Sequence, residues 1–112
     1  MSIKVRIENY LTESGVDPFA TWFDKLNAIA AAKITTALYR MEMGNFSNVE
    51  GVGEGVFEYK IHFGPGYRIY FGQDGDEFVI LLGGGSKKQQ SKDIKKAQEL
   101  WREYKRLKKR GV

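Results

Sequence analysis

Between Val56 and Gly85 the chain runs through three short stretches of alternating or continuous apolar residues, separated by Gly64-Pro65-Gly66 and by Asp74-Gly75. A period of two suits a pleated strand and not a helix, and Gly-Pro-Gly and Asp-Gly are turn formers. The stretch therefore predicts three consecutive antiparallel strands. Phe57, Tyr59, Ile61 and Phe63 share one face, and Tyr67, Ile69 and Phe71 continue it after the turn. The third run, Phe78 to Leu82, is apolar at every position and is expected centrally in the sheet.

The rest of the chain supplies what packs on such a sheet. Ile3, Val5 and Ile7 alternate with charged residues and predict a first strand. Asp17-Pro18 reads as an N-cap followed by the proline favoured at the first helical position, with Phe19, Trp22, Phe23 and Leu26 recurring at helical spacing. Asn27 interrupts that helix. A second follows, with Ala30, Ile34, Ala37, Leu38 and Met41 on one face, until Gly44 stops it. Residues 44 to 55 hold Gly, Asn and Ser without a sustained period and read as a loop. After Gly83-Gly84-Gly85, Ser91 is a candidate cap for a long last helix with Ala97, Leu100, Trp101, Tyr104 and Leu107 as its buried stripe. The order β-α-α-β-β-β-α predicts an α+β fold, a largely antiparallel sheet packed against helices. One domain over residues 1–112 is expected, with a frayed basic end at about 108–112.

Charge is unevenly placed. From Lys87 to Val112 there are eleven Lys and Arg against three acidic residues, whereas residues 1–86 are net acidic. Such a basic end attracts phosphate-rich partners, although a lysine-rich helix face also serves solubility. With no cysteine, disulfide and thiolate-metal frameworks are excluded, and one histidine with scattered carboxylates gives no zinc or di-metal pattern. No apolar run reaches the length of a membrane span, and the expectation is a cytoplasmic protein with no metal, cofactor or membrane partner.

The candidate chemistry lies around the first turn. If residues 64 to 66 form the hairpin loop, Phe63 pairs with Tyr67, His62 with Arg68 and Lys60 with Tyr70. The apolar row would then bind the helices while Lys60, His62, Arg68 and Tyr70 line one open basic face. Opposed cations repel unless an anion lies between them, and a phosphate is the natural occupant: Arg offers paired donors, Lys a compact charge, and an imidazole a proton acceptor near neutral pH. The Gly83–Gly85 run would deliver Lys87 and Lys88 to the rim of the same surface. A purely structural account is available for each residue: Arg68 and Lys60 can pair with Glu58, His62 can be an ordinary surface residue, and the glycines serve turns. Trp22, Phe23 and Trp101 fall on helical stripes and read as core.

The segment VFEYKIHFGPGYRIYF (56–71), the following FVILLGGGSKKQ (78–89) and DIKKA (93–97), in this order of elements, resemble an addiction-module killer protein of the phage-derived HigB-like branch of the RelE/ParE toxin superfamily. The resemblance implies a small toxin neutralised by a cognate antitoxin protein, and a metal-independent endoribonuclease acting on mRNA at the ribosome and inhibiting translation. Carried over residue by residue, it places Arg68, in Gly66-Tyr67-Arg68, on the family's sheet arginine that contacts the scissile phosphate. Lys60 and His62 fall near two strand lysines used in cleavage, and Lys87 lies where the family uses another arginine. The family's C-terminal tyrosine has no counterpart in Gln89-Gln90-Ser91-Lys92. Lys88, Tyr70, Lys92 and Lys95 complete the expected RNA-binding surface. Two rivals follow: a ParE-type inhibitor of DNA gyrase, sharing the fold without RNA cleavage, and a non-catalytic basic binding module.

Overall fold

A computed structural model describes residues 4–109. Strand β1 (Arg6–Asn9) is followed by helices α1 (Pro18–Phe23) and α2 (Ala28–Glu42), strands β2 (Val49–Gly53), β3 (Val56–Ile61), β4 (Tyr67–Asp74) and β5 (Phe78–Ser86), a 3-10 turn over Lys87–Gln89, and helix α3 (Gln90–Lys109). The five strands form one sheet in the order β1-β5-β4-β3-β2, with β1 parallel to β5 and every other pair antiparallel. The fold is thus α+β, with one strand more than the sequence pattern predicts. That strand, β2, falls inside the predicted 44–55 loop: its residues VEGVG offer little apolar signal, and it is held by pairing Val49 with Tyr59 and Glu50 with Glu58 at the sheet edge.

Local chemistry explains the helix starts. The Asp17 carboxylate accepts from Ala20 N–H at 2.9 Å, and the Asn27 side chain accepts from Ala30 N–H at the same distance, so Asn27 ends one helix by capping the next. Ser91 does not cap α3. The helix already includes Gln90, and the turn from Lys87 feeds it directly, which leaves Ser91 exposed within the first turn. At the other end α3 remains helical through Lys109, so of the expected frayed end only 110–112 are left, outside the described residues, as is Ile3 of the predicted first strand.

The sheet is covered on both faces. On one side Phe19, Ile34, Ala37 and Met41 of α1 and α2 pack on Tyr59, Ile69, Phe71, Val79 and Leu81. On the other, Ala97, Leu100 and Trp101 of α3 pack on Val56, Tyr70, Ile80 and Leu82. The predicted open basic face is therefore filled by α3, and the amphipathic stripe that the sequence assigned to this helix is what fills it. Two glycines let large rings approach the backbone: a Cβ at Gly84 would lie 2.2 Å from the Trp22 ring, and one at Gly72 would lie 2.5 Å from Trp101.

Candidate nucleic-acid interface

The hairpin register decides which side chains meet. In β3 and β4, Lys60 lies opposite Arg68, Glu58 opposite Tyr70 and Ile61 opposite Tyr67. The predicted pairs, His62 with Arg68 and Lys60 with Tyr70, are thus displaced, because the turn takes in residues 62 to 66. Within it Phe63 N–H donates to Ile61 O at 3.0 Å and Gly66 N–H to Phe63 O at 3.0 Å, and Gly64 and Gly66 both hold positive φ. The displacement keeps Glu58, Lys60, Arg68 and Tyr70 on one face while changing their partners, and it takes His62 out of the ladder into the turn, where it lines a groove with Lys33 and Arg40 of α2 instead of lying opposite Arg68.

Pairing of β4 with β5 sets Tyr67 against Ser86 and Arg68 against Gly85, which brings Lys87 beside the turn. The Gly66 carbonyl accepts from Lys87 N–H at 2.8 Å and from the Arg68 guanidinium Nη1 at 3.1 Å. Lys60, His62, Arg68 and Lys87 are therefore gathered at one end of the sheet, but they are not equally available. His62 and Lys87 are exposed, and Lys60 is half-buried with its ammonium 2.9 Å from Glu50. Arg68 is only 8% exposed, with Nε 3.4 Å from a Glu58 carboxylate that is 1% exposed, and Gln90 donates to that carboxylate at 2.9 Å. Glu50 and Glu58 thus neutralise the opposed cations, and no bound anion is needed to relieve their repulsion.

Tyr70 is corrected outright. It is 1% exposed beneath α3, its hydroxyl makes no hydrogen bond, and burial followed by the Glu58 charge pushes that hydroxyl well above the usual tyrosine range. A buried ring cannot stack on a base. Lys88, Lys92 and Lys95 are exposed at the start of α3 and in its preceding turn.

Sequence reasoning missed a second source of charge. Lys33 and Arg40 of α2 line a groove shared with Lys60, His62 and Phe63, and the Lys33 ammonium lies 5.1 Å from the Phe63 ring centroid. Their spacing of seven was a legible signal, since it places both on one flank of a helix. The half-exposed Phe63 beside these cations has the makeup of a single-strand nucleic-acid groove, in which an aromatic face and backbone-tracking charge occur together.

Across the sheet from this groove, the Asp93 carboxylate lies against the Gly85 backbone in the first turn of α3. Burial raises the Asp93 carboxyl above its ordinary range, and Lys92 only partly opposes this. A raised folded-state value means a stabilising contribution that is complete below the unfolded pKa and lost as pH rises through the folded one. Asp93→Asn is therefore expected to raise the thermal midpoint at about pH 7 and to change it less at about pH 3, a pattern that thermal melts at the two pH values will test.

The sequence over residues 21–105 matches the family model described as phage-derived protein Gp49-like, and the chain belongs to this family of RelE-like toxins. The match takes in α2, the β3–β4 turn and the start of α3. An uncharacterized protein of Haemophilus influenzae is 44% identical over 86 residues, covering 76% of this chain and 87% of that protein.

Proposed function

We propose that the chain is the toxin of a type II toxin–antitoxin module and acts as a metal-independent endoribonuclease on ribosome-associated mRNA. The observation that supports this reading is the placement of exposed His62 and of Lys60 on one groove with Lys33 and Arg40, at the turn whose Gly66 carbonyl accepts from Lys87 N–H. Family membership supports the toxin role.

In the reaction, a ribose 2′-oxygen bonds to the adjacent phosphorus to give a 2′,3′-cyclic phosphate, and the bond to the 5′-oxygen breaks, that oxygen leaving as a hydroxyl with a proton taken from solvent water. His62 takes the hydroxyl proton, a task suited to an imidazole near neutral pH. Lys60 and Lys87 stabilise the negative charge that grows on the phosphoryl oxygens, an effect strongest where donors are fixed in advance. Arg68 has a supporting part: bound to Glu58 and the Gly66 carbonyl, it holds the turn that presents His62 and Lys87. Lys88, Lys92 and Lys95 hold the RNA backbone, with affinity that falls as salt rises. A cognate antitoxin is the expected protein partner.

Induced expression followed by mapping of new 5′ ends on cellular transcripts tests the reading. Wild type is expected to arrest growth and create new ends, and His62→Ala to lower their rate of appearance about 100-fold. The burial of Arg68 gives one observation to the rival gyrase reading, in which the sheet cations are structural. Growth arrest without new RNA ends, unaltered in His62→Ala, decides for that rival.

A further inference from the structure

The Gly83-Gly84-Gly85 run has no part in the site around Gly66, yet its place in the sheet is distinctive. Strand β1 ends at Asn9, opposite Leu81, and Tyr10 N–H then donates to Leu81 O at 3.0 Å. From Gly83 to Ser86, β5 pairs with β4 alone, so alternate N–H and C=O groups of the glycine run face an edge that no strand among the described residues occupies. A bulge at Leu82 re-aims the strand at this point, since Tyr70 pairs with Gly83 and Phe71 with Leu81. The edge opens into a cavity of about 690 Å³ between the β1–α1 loop, α1 and α3, a size suited to a small organic ligand. Val16, Pro18, Leu82, Ala97 and Leu100 give it apolar walls. A Cβ at Gly83 would meet nothing within 4 Å, whereas Gly84 is covered by Trp22 and Gly85 by Asp93.

Two polar groups in the lining lack partners. Tyr70 is 1% exposed and its hydroxyl makes no hydrogen bond, a cost that folded proteins seldom carry without a use. The Asp93 carboxylate is desolvated by burial, and no hydrogen bond among the described residues satisfies it. A carboxylate held against apolar walls needs donors for both of its oxygens. Among the RNA bases only guanine presents two adjacent donors on one edge, at N1–H and the N2 amino group; adenine, cytosine and uracil each set a single donor group beside acceptors. Backbone N–H groups of the glycine edge are donors for the guanine acceptors O6 and N7. Lys92 and Lys96 border the cavity, where they can meet a phosphate. Of the other acids in the lining, Glu103 accepts from the Tyr10 hydroxyl and Glu99 is exposed to solvent.

We propose that this cavity is a guanine-binding subsite, in which the Asp93 carboxylate accepts from N1–H and the N2 amino group while the ring lies on the apolar walls and its phosphate meets Lys92 and Lys96. Gly84 stands three residues before Lys87, about 10 Å along the strand, so a guanine held there is within reach of an RNA strand at the Gly66 turn. That use rests on the endoribonuclease reading, whereas the subsite itself does not; a free guanine nucleotide is the other source of the base. The thermal gain expected of Asp93→Asn has the same cause, since a carboxylate kept for a ligand costs stability until the ligand binds.

Titration calorimetry of the full chain with GMP, AMP, CMP and UMP tests the subsite without reference to cleavage. GMP is expected to bind about tenfold more tightly than the other three. Asp93→Asn is expected to weaken GMP about 30-fold, the loss of a charge-assisted hydrogen bond, and to bind XMP better than GMP, because asparagine sets one acceptor and one donor against xanthine N1–H and O2. A merely structural Asp93 would not exchange one base for another. Thr21→Trp, at an exposed position of α1 that lines the cavity, is expected to block GMP while thermal melts match wild type. Absence of GMP binding, equal binding of the four nucleotides, or GMP binding unchanged in both variants overturns the proposal. Titration of the His62→Ala chain with oligoribonucleotides that contain or lack a guanine separates the two sources. A preference for the guanine strand that Asp93→Asn removes assigns the base to RNA; GMP binding without such a preference assigns the site to a free nucleotide, and either supports the subsite. If GMP binds while wild type creates no new RNA ends in cells, the endoribonuclease reading fails and the subsite stands.

Discussion

Replacing Glu58 with alanine is expected to cost about 3–5 kcal/mol of folding stability, because it leaves the Arg68 guanidinium buried without its counter-charge. Glu58 is 1% exposed and Arg68 8%, and Gln90 also donates to the carboxylate. Water cannot enter to replace the lost partner while α3 remains seated. Removing both charges is a different perturbation: Glu58→Met with Arg68→Met exchanges an ion pair for apolar volume, and such exchanges are often neutral. Urea unfolding of the four proteins in this cycle measures the coupling, expected at about 2 kcal/mol or more. The result bears on function as well as stability. Were Arg68 a phosphate ligand that swings free of Glu58, the Glu58 variant would keep its stability and bind RNA more tightly. A fall in stability with no gain in RNA affinity places Arg68 in the scaffold of the turn and leaves His62, Lys60 and Lys87 to face the substrate.

The burial of that pair was the feature least legible in the sequence, and the reason is physical. Alternation distinguishes two faces of a strand but does not say that a face carrying Glu58, Lys60, Arg68 and Tyr70 is open to water. The corrective signal lay in β5: Phe78 to Leu82 is apolar on both faces, and such a strand needs cover on both. Ala97, Leu100 and Trp101 were identified as a buried stripe, and a stripe needs an apolar surface to meet; the face opposite α1 and α2 is where it lands. The hairpin register was hidden for another reason. Moving the pairing by two positions preserves the face of every residue left in the ladder, so hydrophobic pattern cannot detect it, and turn hydrogen bonds at Phe63 and Gly66 make the choice. Strand β2 is an edge strand with few apolar residues, formed because β3 offers it a ladder. By contrast, Asp17, Pro18, Asn27 and Gly44 carried their meaning locally, and the helix boundaries they mark were readable. For the candidate site, Lys60, His62 and Lys87 are proposed from turn chemistry and resemblance, while Lys33 and Arg40 required knowing which flank of α2 borders the turn.

Trp101→Ala is expected to cost about 3–5 kcal/mol, since this ring is the main anchor of α3 on the sheet. It is 5% exposed, stacks on Tyr104 at 4.9 Å between centroids, and sits on Gly72 where no side chain intervenes. Gly72→Ala attacks the same contact from the other side. Its Cβ would lie 2.5 Å from ring carbons of a side chain that is closely surrounded, so the helix must shift, at about 1–3 kcal/mol. The two losses should not add. Without the indole the new methyl meets no clash and fills part of the cavity, so the double variant is expected to be no less stable than Trp101→Ala alone, a non-additivity of about 1–3 kcal/mol readable from urea midpoints. Full additivity would mean that Trp101 does not rest on Gly72. The consequence reaches the Arg68–Glu58 pair, because both residues lie beneath the start of the same helix and Gln90 of α3 bonds Glu58. Loosening α3 at Trp101 should therefore speed amide exchange at β4, near Tyr70 and Arg68, more than within α2, which packs on the opposite face of the sheet.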